Sequence, residues 1–311
     1  MLFRPTALAC AVAAVFTLPA AHARLAAAAP DYNMEVIVVT ASGFEQKLID
    51  APASISVITQ EELAKRPYTT LLDAVRDLEG VDIGETRDKT GQGTISMRGM
   101  GSDYTLILVD GKRQNNHGDI YPNNFGGNQF GHMPPLNTVE RIEVIRGPAS
   151  TLYGADALGG VINIITKSKG SPFASGALSS GSYGTKQGNL QFNSSINKLN
   201  FTIGFENQNA DGFSSAKDIT NKANFDKDGY QNNSFFVKAK YQIDTLWNLQ
   251  LSSRKTAYTS AIDYGGFMDD KDNEFINATT MTGLVLKYKK AKTNFQLQYQ
   301  YTTQDRTYFN D

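Results

Sequence analysis

The sequence predicts a compact α/β domain followed by a transmembrane antiparallel β-barrel, with about seven barrel strands present in 311 residues. Three observations carry this. The chain opens on an export signal. Residues 44–170 alternate glycine-punctuated strands with short helical stretches. From Ser171 onward apolar and polar residues alternate with period two.

Residues 1–23 read as a signal peptide. Arg4 gives a positive start, Ala7 to Ala20 forms an apolar run, and Ala21-His22-Ala23 is a small-residue cleavage site. The run is shorter than the roughly 20 apolar residues that a membrane-spanning helix needs. Cys10 lies inside this run with the cleavage site still ahead, so it is an ordinary residue of the apolar region. Its removal leaves an exported chain without cysteine, which must hold together without disulfides.

Mean hydropathy is −0.34, and no later run approaches 18 apolar residues, which excludes a helical membrane protein. A net charge of −1 argues against nucleic acid as a partner. Exported, alternating and rich in aromatics (14 Tyr, 17 Phe) is the profile of an outer-membrane β protein facing lipid.

Residues 24–43 form a short leading segment containing Glu35, Val36, Ile37, Val38, Val39, Thr40 and Ala41. Its β-branched run favours an extended backbone. Two readings stand: a first strand of the following domain, or a docking strand that adds to a partner's sheet edge.

In the domain at 44–170, Ser54–Ile58 reads as a strand. Thr59-Gln60-Glu61-Glu62 is a capping box opening a short helix before Pro67. Leu71, Leu72, Val75 and Leu78 make a helical stripe that Gly80 stops. Further strands are Thr94–Gly99, Leu106–Gly111, Arg141–Gly147 and Gly160–Thr166, with a short helix before the last. Between them runs an irregular loop, Gln114–Asn137, long enough to suggest function.

In the remainder, 171–311, the alternating series are Leu190–Ile196, Leu199–Phe205, Phe235–Ile243, Trp247–Leu251, Leu284–Tyr288 and Phe295–Tyr301. Connections at Ile196–Leu199, Ile243–Trp247 and Lys289–Asn294 are tight. Those at Ala210–Asn232 and Tyr258–Thr279 are long and polar, which matches short periplasmic turns and long outer loops. A seven-stranded open sheet would leave unpaired edges in lipid. The sequence therefore reads as a portion of a larger barrel, expected neither to insert nor to transport by itself.

The motifs resemble those of the TonB-dependent receptors. Glu35–Ala41 resembles a TonB box. The plug-like motifs are Asp50–Thr59, Met97-Arg98-Gly99, Leu106–Arg113, Glu140–Pro148 and Tyr153–Thr166. The resemblance implies a plug folded inside a barrel of about 22 strands. It further implies a substrate held at the outer mouth, and a box that pairs with the inner-membrane TonB protein and its energising complex. The 11 residues from Arg24 to Met34 leave no room for a separate periplasmic signalling domain. Glu140, Arg141, Glu143 and Arg146 have two readings, surface ion pairs or a plug–barrel latch; the resemblance favours the latch.

Through Asp50–Thr59, Tyr104–Arg113 and Met133-Pro134-Pro135-Leu136, the plug is most similar to the catecholate siderophore and colicin I receptor group. That similarity implies an iron(III)–siderophore as cargo, an anionic iron chelate, with loops 85–93 and 114–132 as its floor. Arg87, Lys89, Arg113, Tyr121, Phe125 and His132 are the candidate contacts. His117 and His132 lack the carboxylate spacing of a metal site, so no resident metal or tightly bound cofactor is expected. Cobalamin is the alternative cargo. Asp226-Lys227-Asp228-Gly229-Tyr230 is similar to the calcium-binding outer loop of cobalamin transporters, making Asp226 and Asp228 candidate calcium ligands or a plain hairpin turn. Haem is a third cargo, without a recognisable His pair. A passive porin would lack both plug and box. No nucleophile–base constellation, phosphate loop or metal motif supports an enzyme.

Overall fold

The computed structural model describes residues 37–38, 40, 46–50, 54–66, 68, 71–84, 94–114, 134–168, 172–214, 216–219, 225–261, 263, 267–291 and 293–309. The chain opens with two short paired strands, β1 (Ile37–Val38) and β2 (Gln46–Lys47). Strand β3 (Ile55–Thr59) runs straight into helix α1 (Gln60–Lys65). The capping box forms as the sequence predicts: the Thr59 side chain accepts from the Glu62 amide, and Glu62 reaches back to the Thr59 amide. Helix α2 (Leu71–Val75) follows, and Gly80, at a φ of 74°, turns the chain into β4 (Val81–Gly84). β4, a strand that the sequence pattern does not announce, pairs with the expected β5 (Thr94–Met97).

The central sheet of the domain has the order β3, β8, β9, β6, β7, with β6 (Thr105–Val109), β7 (Lys112–Arg113), β8 (Val139–Arg146) and β9 (Gly160–Thr166). Helix α3 (Ser150–Tyr153) lies between β8 and β9 in the chain, and only β6 and β9 run parallel. Both faces of this sheet are covered, which explains the unbroken apolar runs in β6, β8 and β9. Ile107, Val109, Ile142, Val144, Ile162 and Ile164 pack on one face with Val75, Ile95 and Met97. Leu106, Leu108, Ile145 and Val161 pack on the other with Ala157.

Seven strands then form one antiparallel meander, each paired with its neighbour in sequence. They are β10 (Phe173–Ser180), β11 (Lys186–Ile196), β12 (Leu199–Phe213), β13 (Asp228–Gln242), β14 (Trp247–Ala261), β15 (Glu274–Lys290) and β16 (Thr293–Phe309). The strands run well past the alternating cores read from sequence, so the long connections shorten to 214–227 and 262–273. Strand β10 escapes the alternation pattern because Gly and Ser dilute it.

The sheet is inverted relative to a soluble protein. Most of its buried side chains are polar, among them Gln191, Asn193, Thr202, Gln208, Ser234, Thr256, Asn277 and Thr279, beside a few apolar ones such as Phe236 and Met281. Its exposed ones are Leu190, Phe192, Ile203, Phe205, Phe235, Leu251, Leu297 and Tyr299. That is the pattern of a lipid-facing wall around a polar interior. Trp247 and Tyr288, with ring centroids 4.8 Å apart, sit at the tight-turn end, where an aromatic girdle belongs.

Candidate functional site

The leading segment is anchored to the α/β domain at Thr40. Ile37 and Val38 pair with Lys47 and Gln46, and Val38 is fully buried. Thr40, also fully buried, donates from its amide to Glu143 Oε2 at 2.9 Å and from its hydroxyl to the same oxygen at 2.5 Å. Asn163 Nδ2 donates to the Thr40 hydroxyl at 3.0 Å, and the Tyr153 hydroxyl donates to the Thr40 carbonyl at 2.7 Å. Burial and the nearby Glu143 charge push the Tyr153 phenol up to about 12, so it remains a donor across the physiological range. A threonine whose amide, hydroxyl and carbonyl all find partners in a dry site is held firmly, because each partner lost would leave a buried group unsatisfied.

The anchor continues inward. Asn163 uses its other amide atom, Oδ1, to accept from the Gly111 amide at 3.1 Å. Gly111, at a φ of 76°, and Asp110, at 50°, make the tight turn between β6 and β7. From this turn emerges Gln114, at the start of the long loop. Thr40, Asn163, Gly111 and that loop are thus connected through one buried amide side chain.

The same turn fastens the domain to the barrel wall. Lys238 on β13 reaches Asp110 Oδ2 at 3.0 Å, with the Thr166 carbonyl at 3.0 Å and hydroxyl at 2.8 Å beside it. Desolvation pushes the Asp110 carboxyl up, but Lys238, Lys112 and Thr166 outweigh it and hold the group below the usual carboxylate range. Lys112 Nζ donates to Ser252 Oγ at 2.9 Å, Arg254 donates to Gln114 Oε1, and Gln300 donates to the Arg113 carbonyl at 2.9 Å. Two wall glycines make room. A Cβ on Gly283 would come within 2.7 Å of Lys112 Cδ, and one on Gly204 within 2.3 Å of Thr138 Cγ2.

Glu140, Arg141, Glu143 and Arg146, the residues expected as a latch to the barrel, make the following described ion pairs. Arg141 pairs with Glu140 at 2.7 Å and Glu143 at 2.9 Å, and Arg146 pairs with Glu79 at 3.5 Å. These described partners all lie within the domain. The described hydrogen bonds to the wall come from Asp110, Lys112, Arg113, Gln114, Asn137, Thr166 and Lys167.

Of the expected docking strand, Ile37, Val38 and Thr40 are described; Glu35, Val36, Val39 and Ala41 lie outside the described residues. Of the substrate candidates, Arg113 is described and is tied to Asp156 at 2.6 Å. Arg87, Lys89, Tyr121, Phe125 and His132 lie outside the described residues. Asp226 and Asp228, the expected calcium pair, are both described. Asp226 converges with Asp263 and Asp269, their carboxylate oxygens within 4.8 Å of one another, while Asp228 begins β13. Loops 214–227 and 262–273 supply these groups, and their distance in sequence hid them. Desolvation and the neighbouring Asp269 push the Asp226 carboxyl up.

Residues 47–161 match the family of the TonB-dependent Receptor Plug Domain, spanning β2 through the start of β9. These residues are a TonB-dependent receptor plug domain. The chain is thus a plug with part of a β-barrel, residing in the bacterial outer membrane. It is similar to the Iron-regulated outer membrane virulence protein of Vibrio cholerae, 56% identical over 134 residues that make up 43% of this chain and 20% of that relative. It is also similar to the vitamin B12 transporter BtuB of Vibrio vulnificus, 32% identical over 75% of this chain and 37% of the relative. A variant of the ferric enterobactin receptor PfeA of Pseudomonas aeruginosa, solved with enterobactin, shares the fold. Its TM-score is 0.62 at 22% identity, covering 81% of this chain and 41% of that one. The receptor chain therefore spans less than half the length of each of these relatives.

Proposed function

We propose that the receptor containing this chain imports a ferric siderophore of the catecholate type across the outer membrane, energised through TonB. The observation that carries the energy-coupling half is the seat of Thr40. A short extended segment, held by one buried threonine, can be released as a unit and offered as a strand to a partner's sheet edge. Glu35–Ala41 is the TonB box in this reading, and TonB is the partner.

For the cargo, two similarities point to iron. One is to the iron-regulated protein of Vibrio cholerae over 134 residues, and the other is in fold to a receptor solved with enterobactin. The candidate contacts remain Arg87, Lys89, Arg113, Tyr121, Phe125 and His132, whose cationic and aromatic groups suit an anionic aromatic chelate. Arg113 would exchange its Asp156 partner for the chelate.

Cobalamin is kept as a second reading on one specific observation. Asp226, Asp263 and Asp269 gather in the outer loops, and Asp226 Oδ1 is buried without a hydrogen-bond partner among the described residues. Three carboxylates with an unsatisfied oxygen suit a hard divalent cation such as calcium, and this would fit the similarity to BtuB. Growth separates the two readings. Cells lacking their own receptors and expressing the full-length protein should grow on ferric catecholate as sole iron source. Rescue by cobalamin alone would overturn the siderophore reading.

A further inference from the structure

Among the described residues, the joint between plug and wall buries more positive charge than it neutralises. Lys112, Lys238 and Arg254 are each 5% exposed or less. Asp110 is the one carboxylate among the described residues lining the cavity between them. Its two oxygens are already engaged by the Thr166 amide, the Thr166 hydroxyl and Lys238. Lys112 and Arg254 feel Asp110 through space, but their hydrogen-bond partners among the described residues are neutral: the Ser252 hydroxyl, the Gln114 amide oxygen and, at 3.7 Å, the Met281 sulfur.

Burying an ammonium and a guanidinium against neutral groups alone is costly, since hydroxyl and amide dipoles replace hydration incompletely. A guanidinium also has five N–H donors, and the described Arg254 bonds use Nη2 only. Both cations border one small cavity, whose other walls include Phe236 and the Met281 side chain. Apolar walls and little room disfavour a strongly hydrated oxyanion such as sulfate. They suit a compact, weakly hydrated monovalent ion.

We propose that this cavity binds a single small monovalent anion of the halide class, held between Lys112 on the plug and Arg254 on the wall. Such an ion completes the charge balance and bridges the two parts of the receptor. It sits beside Asp110 and Gln114, so it also strengthens the turn from which the long loop departs.

The test uses the full-length receptor in detergent. Crystals grown with bromide should show an anomalous peak in contact with Lys112 Nζ and the Arg254 guanidinium; this reading needs no variant. In solution, bromide added at constant ionic strength against gluconate, which is too large for the cavity, should raise the thermal midpoint saturably. Arg254→Gln should weaken the apparent bromide affinity by about tenfold or more, the loss expected from one charged hydrogen bond. Arg254→Lys should recover part of it. If Arg254→Gln fails to fold, Ser252→Ala, which frees Lys112 from its hydroxyl partner, takes its place and should also shift the affinity. The proposal is overturned by a cavity without anomalous signal, or by one filled by a carboxylate of the receptor itself. It is equally overturned by a bromide response identical in wild type and variants.

Discussion

Glu143 and Asn163 lie directly opposite each other on adjacent antiparallel strands, and both side chains close on Thr40. Register makes this happen: the two residues share the sheet face that Leu106, Leu108 and Ile145 fill elsewhere, so a polar pair sits within an apolar layer. Such a pair is tolerated only when satisfied; Arg141 and the Gly111 amide take one oxygen of each residue, and Thr40 takes Glu143 Oε2 and Asn163 Nδ2. Docking of the leading segment therefore completes the bonding of the core.

Replacing Glu143 by Gln should loosen that seat. A glutamine oxygen can still accept from Thr40, but the charged contact and the Arg141 ion pair are lost. The cost is about 1.5–3 kcal/mol, or about 10- to 150-fold more of the undocked segment. Hydrogen–deuterium exchange at the Thr40 amide reads this directly. Exchange as slow as in wild type would show that Glu143 does not hold the segment.

The Lys238–Asp110 pair should behave as a buried ion pair in which each partner needs the other. Lys238→Met leaves Asp110 charged and largely desolvated, a loss of about 3–5 kcal/mol, whereas the double change with Asp110→Asn recovers much of it. Urea unfolding of the plug in the full-length receptor measures both. The pH dependence has a definite sign. The folded Asp110 value lies below its ordinary one, so its contribution is present at neutral pH and is lost as pH falls through the folded value.

Lys112 titrates the other way. Burial pushes its ammonium down to about 8; Asp110 opposes this, while Lys238, Arg254 and Lys287 add to it. Between pH 8 and the ordinary value of 10.5, the unfolded chain keeps a proton that the folded one has released. Stability should therefore rise with pH across that window, by a few kcal/mol at most. In halide-free buffer, Lys112→Met should abolish this rise. A slope that survives the substitution would place its origin elsewhere.

The outer-loop carboxylates give a fourth test. If Asp226, Asp263 and Asp269 take up calcium, added calcium should raise the thermal midpoint of the receptor and protect loops 214–227 and 262–273 from protease. Asp263→Asn should remove both effects. Equal protection without calcium would leave these aspartates as a loop hydrogen-bond cluster.

Much of the architecture was legible because periodicity reports burial. Strands β6, β8 and β9 read as continuous apolar runs since both their faces are covered, and the wall strands alternate since one face meets lipid. Strands β4, β7 and β10 were not legible: two to four residues carry no period, and Gly176 with the serines of β10 hides one. Thr40 could not be matched to its partners from local pattern, since Glu143 and Asn163 stand 103 and 123 residues away. Lys238 and Arg254 did leave a signal, as isolated cations on the inward, hydroxyl- and amide-rich face of a wall strand. That signal points to contact with the plug.

The most direct test of TonB-driven iron import is the uptake of radiolabelled ferric catecholate by cells expressing the full-length receptor, with Val38→Pro beside wild type. Proline removes a backbone donor from the docking strand and spoils its pairing. The account predicts uptake in the wild type that disappears without TonB and in Val38→Pro, while surface binding of the chelate is unchanged in both. Uptake that persists in Val38→Pro, or chelate binding that is absent from the wild type, would contradict it.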